Sequence, residues 1–194
     1  MAETTAPTAM AERRWRWTAE AYEKAADMGL FGPDPRVELL EGEVIAKLPM
    51  HPPHSTVLGI LNELVLVQLD RSLWTVRCQS PIRLNDISEP EPDLWVARGA
   101  QRTYGRRHPV PADLLLVVEV AGSYPADDRR EKIPLYAGAG VPSAWLVSPP
   151  EKTLTVYRQP SPSARRYDQE TVLRPGDIAA HPPTGLTLTL TELF

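Results

Sequence analysis

Leu114-Leu115-Leu116-Val117-Val118-Glu119-Val120 is a run of six aliphatic residues around a single carboxylate. Too short for a membrane span and bounded by polar segments, such a run reads as a strand buried on both faces, the kind of strand found at the middle of a sheet. A carboxylate inside it is costly unless it is paired, protonated or bound to a metal. Around this strand the chain alternates. Downstream, 127–138 has helical character with a kink or late start at Pro134, because proline suits only a helix's first turn. Strands at 144–147 and 154–158 follow, then a Pro/Ser-rich loop and short strands near 167–173 and 186–190. Upstream lie strand candidates at 74–79, 82–84 and 94–97, and a helix over 55–70 whose Val57, Leu58, Leu61, Leu64 and Val65 share one face. Before these, Val37–Leu40 and Val44–Lys47 form a hairpin around Glu41-Gly42, and Thr18 caps a short helix that Gly29 stops. Residues 1–14 read as a flexible N-terminal arm and 15–194 as one domain. The fold class is α/β (α+β), with a central mixed sheet flanked by helices and preceded by an N-terminal helix and β-hairpin.

The 194 residues carry 21 Lys and Arg against 25 Asp and Glu, a formal charge of −4, which excludes a uniformly basic nucleic-acid coat. With 42% hydrophobic residues and 24% charged, the chain lies outside the compositional range of disorder. Only four of the basic residues are lysine: Lys24, Lys47, Lys132 and Lys152. Cys78 is the single cysteine, so neither an internal disulfide nor a cysteine zinc site can form, in keeping with a reducing, cytoplasmic setting. No apolar run of membrane-spanning length is present, so a membrane is not an expected partner.

The chemistry-bearing residues gather at strand ends. Pro92-Asp93-Leu94 opens one strand, Glu119 lies near the end of the most buried one, and Lys132 follows thirteen residues later, about one turn into the next helix. Two carboxylates and an ammonium can hold Mg²⁺ and hydrolyse a phosphodiester, since Mg²⁺ needs only one or two protein carboxylates beside its waters. Arg98, Arg102, Arg106 and Arg107 fall in a stretch without acids, suited to gripping phosphates from a loop beside such a cleft. The plain alternative for each is structural: a solvated Arg-rich loop, and a surface Lys132–Asp128 pair at i, i+4.

Val37-Glu38-Leu39-Leu40-Glu41-Gly42-Glu43-Val44, His54, Glu91-Pro92-Asp93-Leu94, Leu116-Val117-Val118-Glu119-Val120, Asp128-Arg129-Arg130-Glu131-Lys132-Ile133-Pro134-Leu135-Tyr136 and Ala139-Gly140-Val141-Pro142-Ser143-Ala144-Trp145-Leu146-Val147 occur in this order. Together they resemble the bacterial Uma-two-type family of restriction-endonuclease-like proteins in the PD-(D/E)XK nuclease superfamily, over nearly the whole chain from Trp17 to Phe194. The resemblance implies a restriction-endonuclease-like fold and a Mg²⁺- or Mn²⁺-dependent endonuclease acting on DNA. Asp93 matches the acid of the PD motif and Glu119 the second acid, and both would hold the metal. The superfamily's lysine is expected two residues after the second acid, where this chain has Ala121; Lys132 would be its displaced substitute. Glu38, Glu43 and His54 are supporting candidates. A homodimer would suit an enzyme that cuts both strands. Two other readings stay open: an inactive nucleic-acid- or partner-binding module on the same fold, and, with less support, a two-carboxylate sugar hydrolase.

Overall fold

The computed structural model describes residues 15–33, 36–47, 49–121 and 125–194, with the side chains of 125–130 outside the description. The expected arm, 1–14, and the Asp128 side chain lie outside the described residues. The chain runs α1 (Ala19–Asp27), β1 (Val37–Leu40), β2 (Glu43–Ala46), α2 (Pro52–Gln68), β3 (Trp74–Cys78), β4 (Leu94–Arg98), β5 (Leu114–Val120), α3 (Pro125–Gly138), β6 (Ser143–Ser148), β7 (Thr153–Ser161), β8 (Arg166–Leu173), β9 (Ile178–His181) and β10 (Leu186–Thr189).

The six strands β3 to β8 form one sheet in sequence order. Every neighbouring pair is antiparallel except β5 and β6, which run parallel and are joined by α3, because a parallel connection must cross back to the other end of the sheet. β5 is buried at all seven positions, as its apolar run requires. One face packs Leu116 and Val118 of β5 against Val57, Leu58, Leu61 and Val65 of α2 and against the β9–β10 hairpin. The other packs Trp95, Val117 and Leu146 against Ile133 and Tyr136 of α3 and Leu40 of β1. α1 and the β1–β2 hairpin form an annex, in which Thr18 caps α1 by accepting the Ala21 N–H and Trp17 packs edge-on against Phe31.

Three expectations needed revision. α2 starts at Pro52 rather than Ser55, because Pro52 and Pro53 occupy its first turn, where a missing N–H costs nothing. Residues 82–84 are not a strand: Ile82, Arg83 and Leu84 donate their N–H groups to the carbonyls of Pro90, Pro109 and Ser88, three separate places rather than one ladder. Pro134 lies inside α3, which begins nine residues earlier, so the helix tolerates one missing rung instead of starting late.

The sequence showed no strand at β9, which is held by pairing with β10 and by His181. His181 is 1% exposed, bonds Thr184 Oγ1 through Nδ1 at 2.8 Å and meets the Trp145 ring edge-on. Burial pushes its imidazole down to about 4, with the Arg158 charge adding to the drop against an opposing hydrogen bond to the Leu115 carbonyl. Because the folded value is below the ordinary value of about 6.5, the unfolded chain takes the proton first as pH falls. His181 therefore contributes its full stability above about pH 6.5 and loses it between there and about pH 4. Urea unfolding should show a larger loss of stability between pH 7 and 4.5 for the wild type than for His181→Gln; equal losses would mean that His181 titrates normally in the fold.

Candidate functional site

β4 and β5 set the two acids side by side. Their register opposes Leu94 with Val118, so Asp93 and Glu119 form the next pair outward. Side chains alternate along a strand, and Trp95 and Val117, two residues from each acid, face α3; Asp93 and Glu119 therefore share that face. Lys132 and Tyr136, one helical turn apart on α3, meet them there. The Lys132 ammonium lies 3.4 and 3.5 Å from the two Glu119 carboxylate oxygens and 3.2 Å from Glu38 Oε2. The Tyr136 hydroxyl donates a short hydrogen bond to Glu119 Oε1. Glu38 also accepts the Glu91 N–H at 3.0 Å, tying the β1–β2 hairpin to the residues before Asp93, and Lys47 of the hairpin's exit pairs with Glu91 at 2.7 Å.

Asp93 Oδ2 accepts the Val120 N–H at 2.8 Å and contacts His54 Nε2, at the start of α2, at 3.1 Å. Burial alone pushes the Asp93 carboxyl up; the His54 hydrogen bond and charge, the Val120 N–H and Lys132 outweigh it and hold it below the usual carboxylate range. An ionised Asp93 only accepts, so Nε2 is the protonated nitrogen of His54, and Nδ1 is buried without a hydrogen-bond partner.

Glu38, Asp93, Glu119 and Lys132 are 5, 9, 2 and 8% exposed. Three carboxylates and one ammonium, all nearly buried, lie together here. Charges this buried are paired, hydrogen-bonded or bound to a metal. An all-oxygen carboxylate set fits a hard divalent cation such as Mg²⁺ or Mn²⁺.

The structure sorts the remaining candidates. Of the two hairpin acids, Glu38 is buried against Lys132, while Glu43 is exposed beside the turn. Arg98, Arg102, Arg106 and Arg107 are not beside this cleft: β4 leads from Asp93 to Arg98 and β5 returns from Leu114 to Glu119, which puts their loop at the opposite end of the strands. Tyr136, not among the site residues expected from the sequence, is a member of the cluster; its i, i+4 spacing from Lys132 is the signal that points to it. A second group of ligating side chains, Glu23, Glu89 and His108, lies within 4.8 Å of one another. Arg83 already reaches both carboxylates, at 2.6 and 2.5 Å, and supplies the cation there. An open groove of about 460 Å³ beside the start of α2 is lined by Pro52, Val57, Ile60, Pro149 and Phe194 with Lys152 at its edge, and none of the three acids lines it. Among the described residues no helix is long and apolar enough to cross a membrane.

Comparison with known proteins agrees with this architecture. The model of the Uma2 family, described as "Putative restriction endonuclease", matches residues 19–191. A crystal structure described as "a putative nuclease belonging to DUF820 from Anabaena variabilis" is similar in fold, with a TM-score of 0.62 at 20% identity over 87% of this chain and 96% of that one. No curated protein matches the chain.

Proposed function

Starting from a chain that belongs to the Uma2 family, we propose that its Asp93–Glu119–Lys132 cluster hydrolyses phosphodiester bonds of DNA with a bound Mg²⁺ or Mn²⁺. The observation that carries this reading is the buried cluster of three carboxylates and one ammonium at the edge of the paired β4 and β5 strands. Asp93 and Glu119 would hold the metal, with Glu38 close enough to complete the acid set. Bound there, the metal supplies Lewis acidity toward the phosphoryl group. Lys132 brings a fixed positive charge to where charge develops during attack by water, and its two carboxylate contacts keep the ammonium in place. His54 and the Val120 N–H orient Asp93, Tyr136 orients Glu119, and the Lys47–Glu91 pair fixes the hairpin that carries Glu38. Ala121, at the position where a PD-(D/E)XK protein would carry its lysine, leaves this role to the helix.

The alternative, a binding module without chemistry, draws on one observation: the Lys132 ammonium is engaged by two carboxylates. Incubation of duplex and single-stranded DNA with the protein separates the readings. Cleavage should require Mg²⁺ or Mn²⁺, stop with chelator and be lost in Asp93→Asn. Cleavage that persists in chelator, or that Asp93→Asn retains in full, overturns the proposal.

A further inference from the structure

The Arg-rich segment that the topology removes from the cleft forms a surface of its own. Trp74 of β3 pairs with Arg98 of β4, and the Gly99 N–H bonds the Leu73 carbonyl at 2.7 Å, which brings the turn carrying Arg71 against Arg98. Gly99 leads directly into the 3₁₀ turn Gln101–Tyr104, which carries Arg102, and Arg106 follows. Arg71, Arg98, Arg102 and Arg106 are all exposed.

Two acids lie nearby. Asp113 is gripped by both terminal nitrogens of Arg107, and Asp70, which accepts the Ser72 N–H and hydroxyl, leaves the four other arginines in excess. This end of a chain of net charge −4 is thus locally positive. It is also a built platform. Tyr104 is 3% exposed, packs edge-on against Trp95 at 5.9 Å, bonds the Arg98 carbonyl through its hydroxyl and accepts from Arg77 through its own carbonyl. Arg107 lies over the Tyr104 ring at 5.1 Å.

Resting on the nuclease reading above, we infer that Arg71, Arg98, Arg102 and Arg106 form a second DNA-binding surface that anchors the phosphate backbone away from the catalytic cleft. Guanidinium groups held on a fixed platform suit phosphate oxygens, and their contacts carry no sequence preference. Arg98 lies five residues along the strand from Asp93, about 16 Å at ~3.3 Å per residue. That span is about five base pairs at ~3.4 Å each, short beside a 30-base-pair duplex.

The test is binding of a fluorescent 30-base-pair duplex across a NaCl series, in chelator so that no cleavage occurs. Each lost phosphate contact flattens the plot of log affinity against log salt by about 0.9. The Arg98→Ala/Arg102→Ala/Arg106→Ala variant should flatten it by about 2.7, and Arg71→Ala by about 0.9. An unchanged slope in the triple variant overturns the anchor, and so does equal loss of binding to vesicles of anionic lipid, which would mark a general polyanion surface. The two readings fail separately: a wild type that cleaves while the triple variant keeps its slope removes the anchor alone, and a triple variant that loses slope while the wild type does not cleave with Mg²⁺ removes the catalysis alone.

Discussion

Lys132→Met should destabilise the fold by about 3–5 kcal/mol, the usual cost of removing one partner from a buried ion pair. The neighbours it would abandon are Glu38 and Glu119, whose side chains are 7 and 3% exposed, so water cannot replace the ammonium without opening the site. For a domain of this size each kcal/mol is worth roughly 2–4 °C, which puts the fall in Tm at roughly 6–20 °C. The replacement keeps the length and apolar stem of lysine, so packing loss adds little and the effect reports the charge. A divalent cation that binds the folded state stabilises it by linkage. The variant's cluster, more negative by one charge, should therefore recover more Tm on addition of Mg²⁺ than the wild type gains. A variant that melts within a degree or two of the wild type would place Lys132 outside the electrostatic centre of the site. One that melts lower without recovering in Mg²⁺ would keep the ion pair and remove the metal.

Much of this site can be read from residue order because its parts belong to strong local patterns. The apolar run of β5 fixes a central strand, and its interruption by Glu119 marks a carboxylate that needs a partner. Lys132 is one of four lysines, carried by the helix that must follow a buried strand, and the structure puts its ammonium against that carboxylate. What residue order leaves open is pairing direction. Whether Glu119 comes beside Asp93 or lies at the other end of the strands depends on whether β4 and β5 run antiparallel, and composition does not say which. Antiparallel pairing brings the two acids together and keeps the Arg98–His108 loop at the far end. The choice between Glu38 and Glu43 is decided by how the hairpin docks, through the backbone bridge of Leu39 to Glu89, a contact fifty residues apart in the chain. β9 has little apolar pattern of its own, because half of its side chains face solvent and its place depends on β10 and on a buried histidine.

Glu119→Gln should lower metal-dependent cleavage by roughly 10³-fold or more while costing the fold less than Lys132→Met. The amide matches the carboxylate in shape, and its oxygen can still accept the Tyr136 hydroxyl. Its NH₂, however, has no attraction for the Lys132 ammonium, and the cluster loses one of the three charges that suit a divalent ion. Lys132 keeps Glu38 at 3.2 Å, so no charge is stranded and the stability loss stays below that of the lysine variant. Two readouts separate a metal ligand from a structural carboxylate. Calorimetric titration with Mg²⁺ should show weakened binding in Glu119→Gln, and the residual cleavage rate should stay low even at Mg²⁺ concentrations that saturate the wild type. If Glu119 only pins Lys132 and Tyr136, stability falls while Mg²⁺ affinity stays that of the wild type, and the metal role passes to Asp93 and Glu38. If binding and cleavage both match the wild type, the second acid of this nuclease lies elsewhere than on β5.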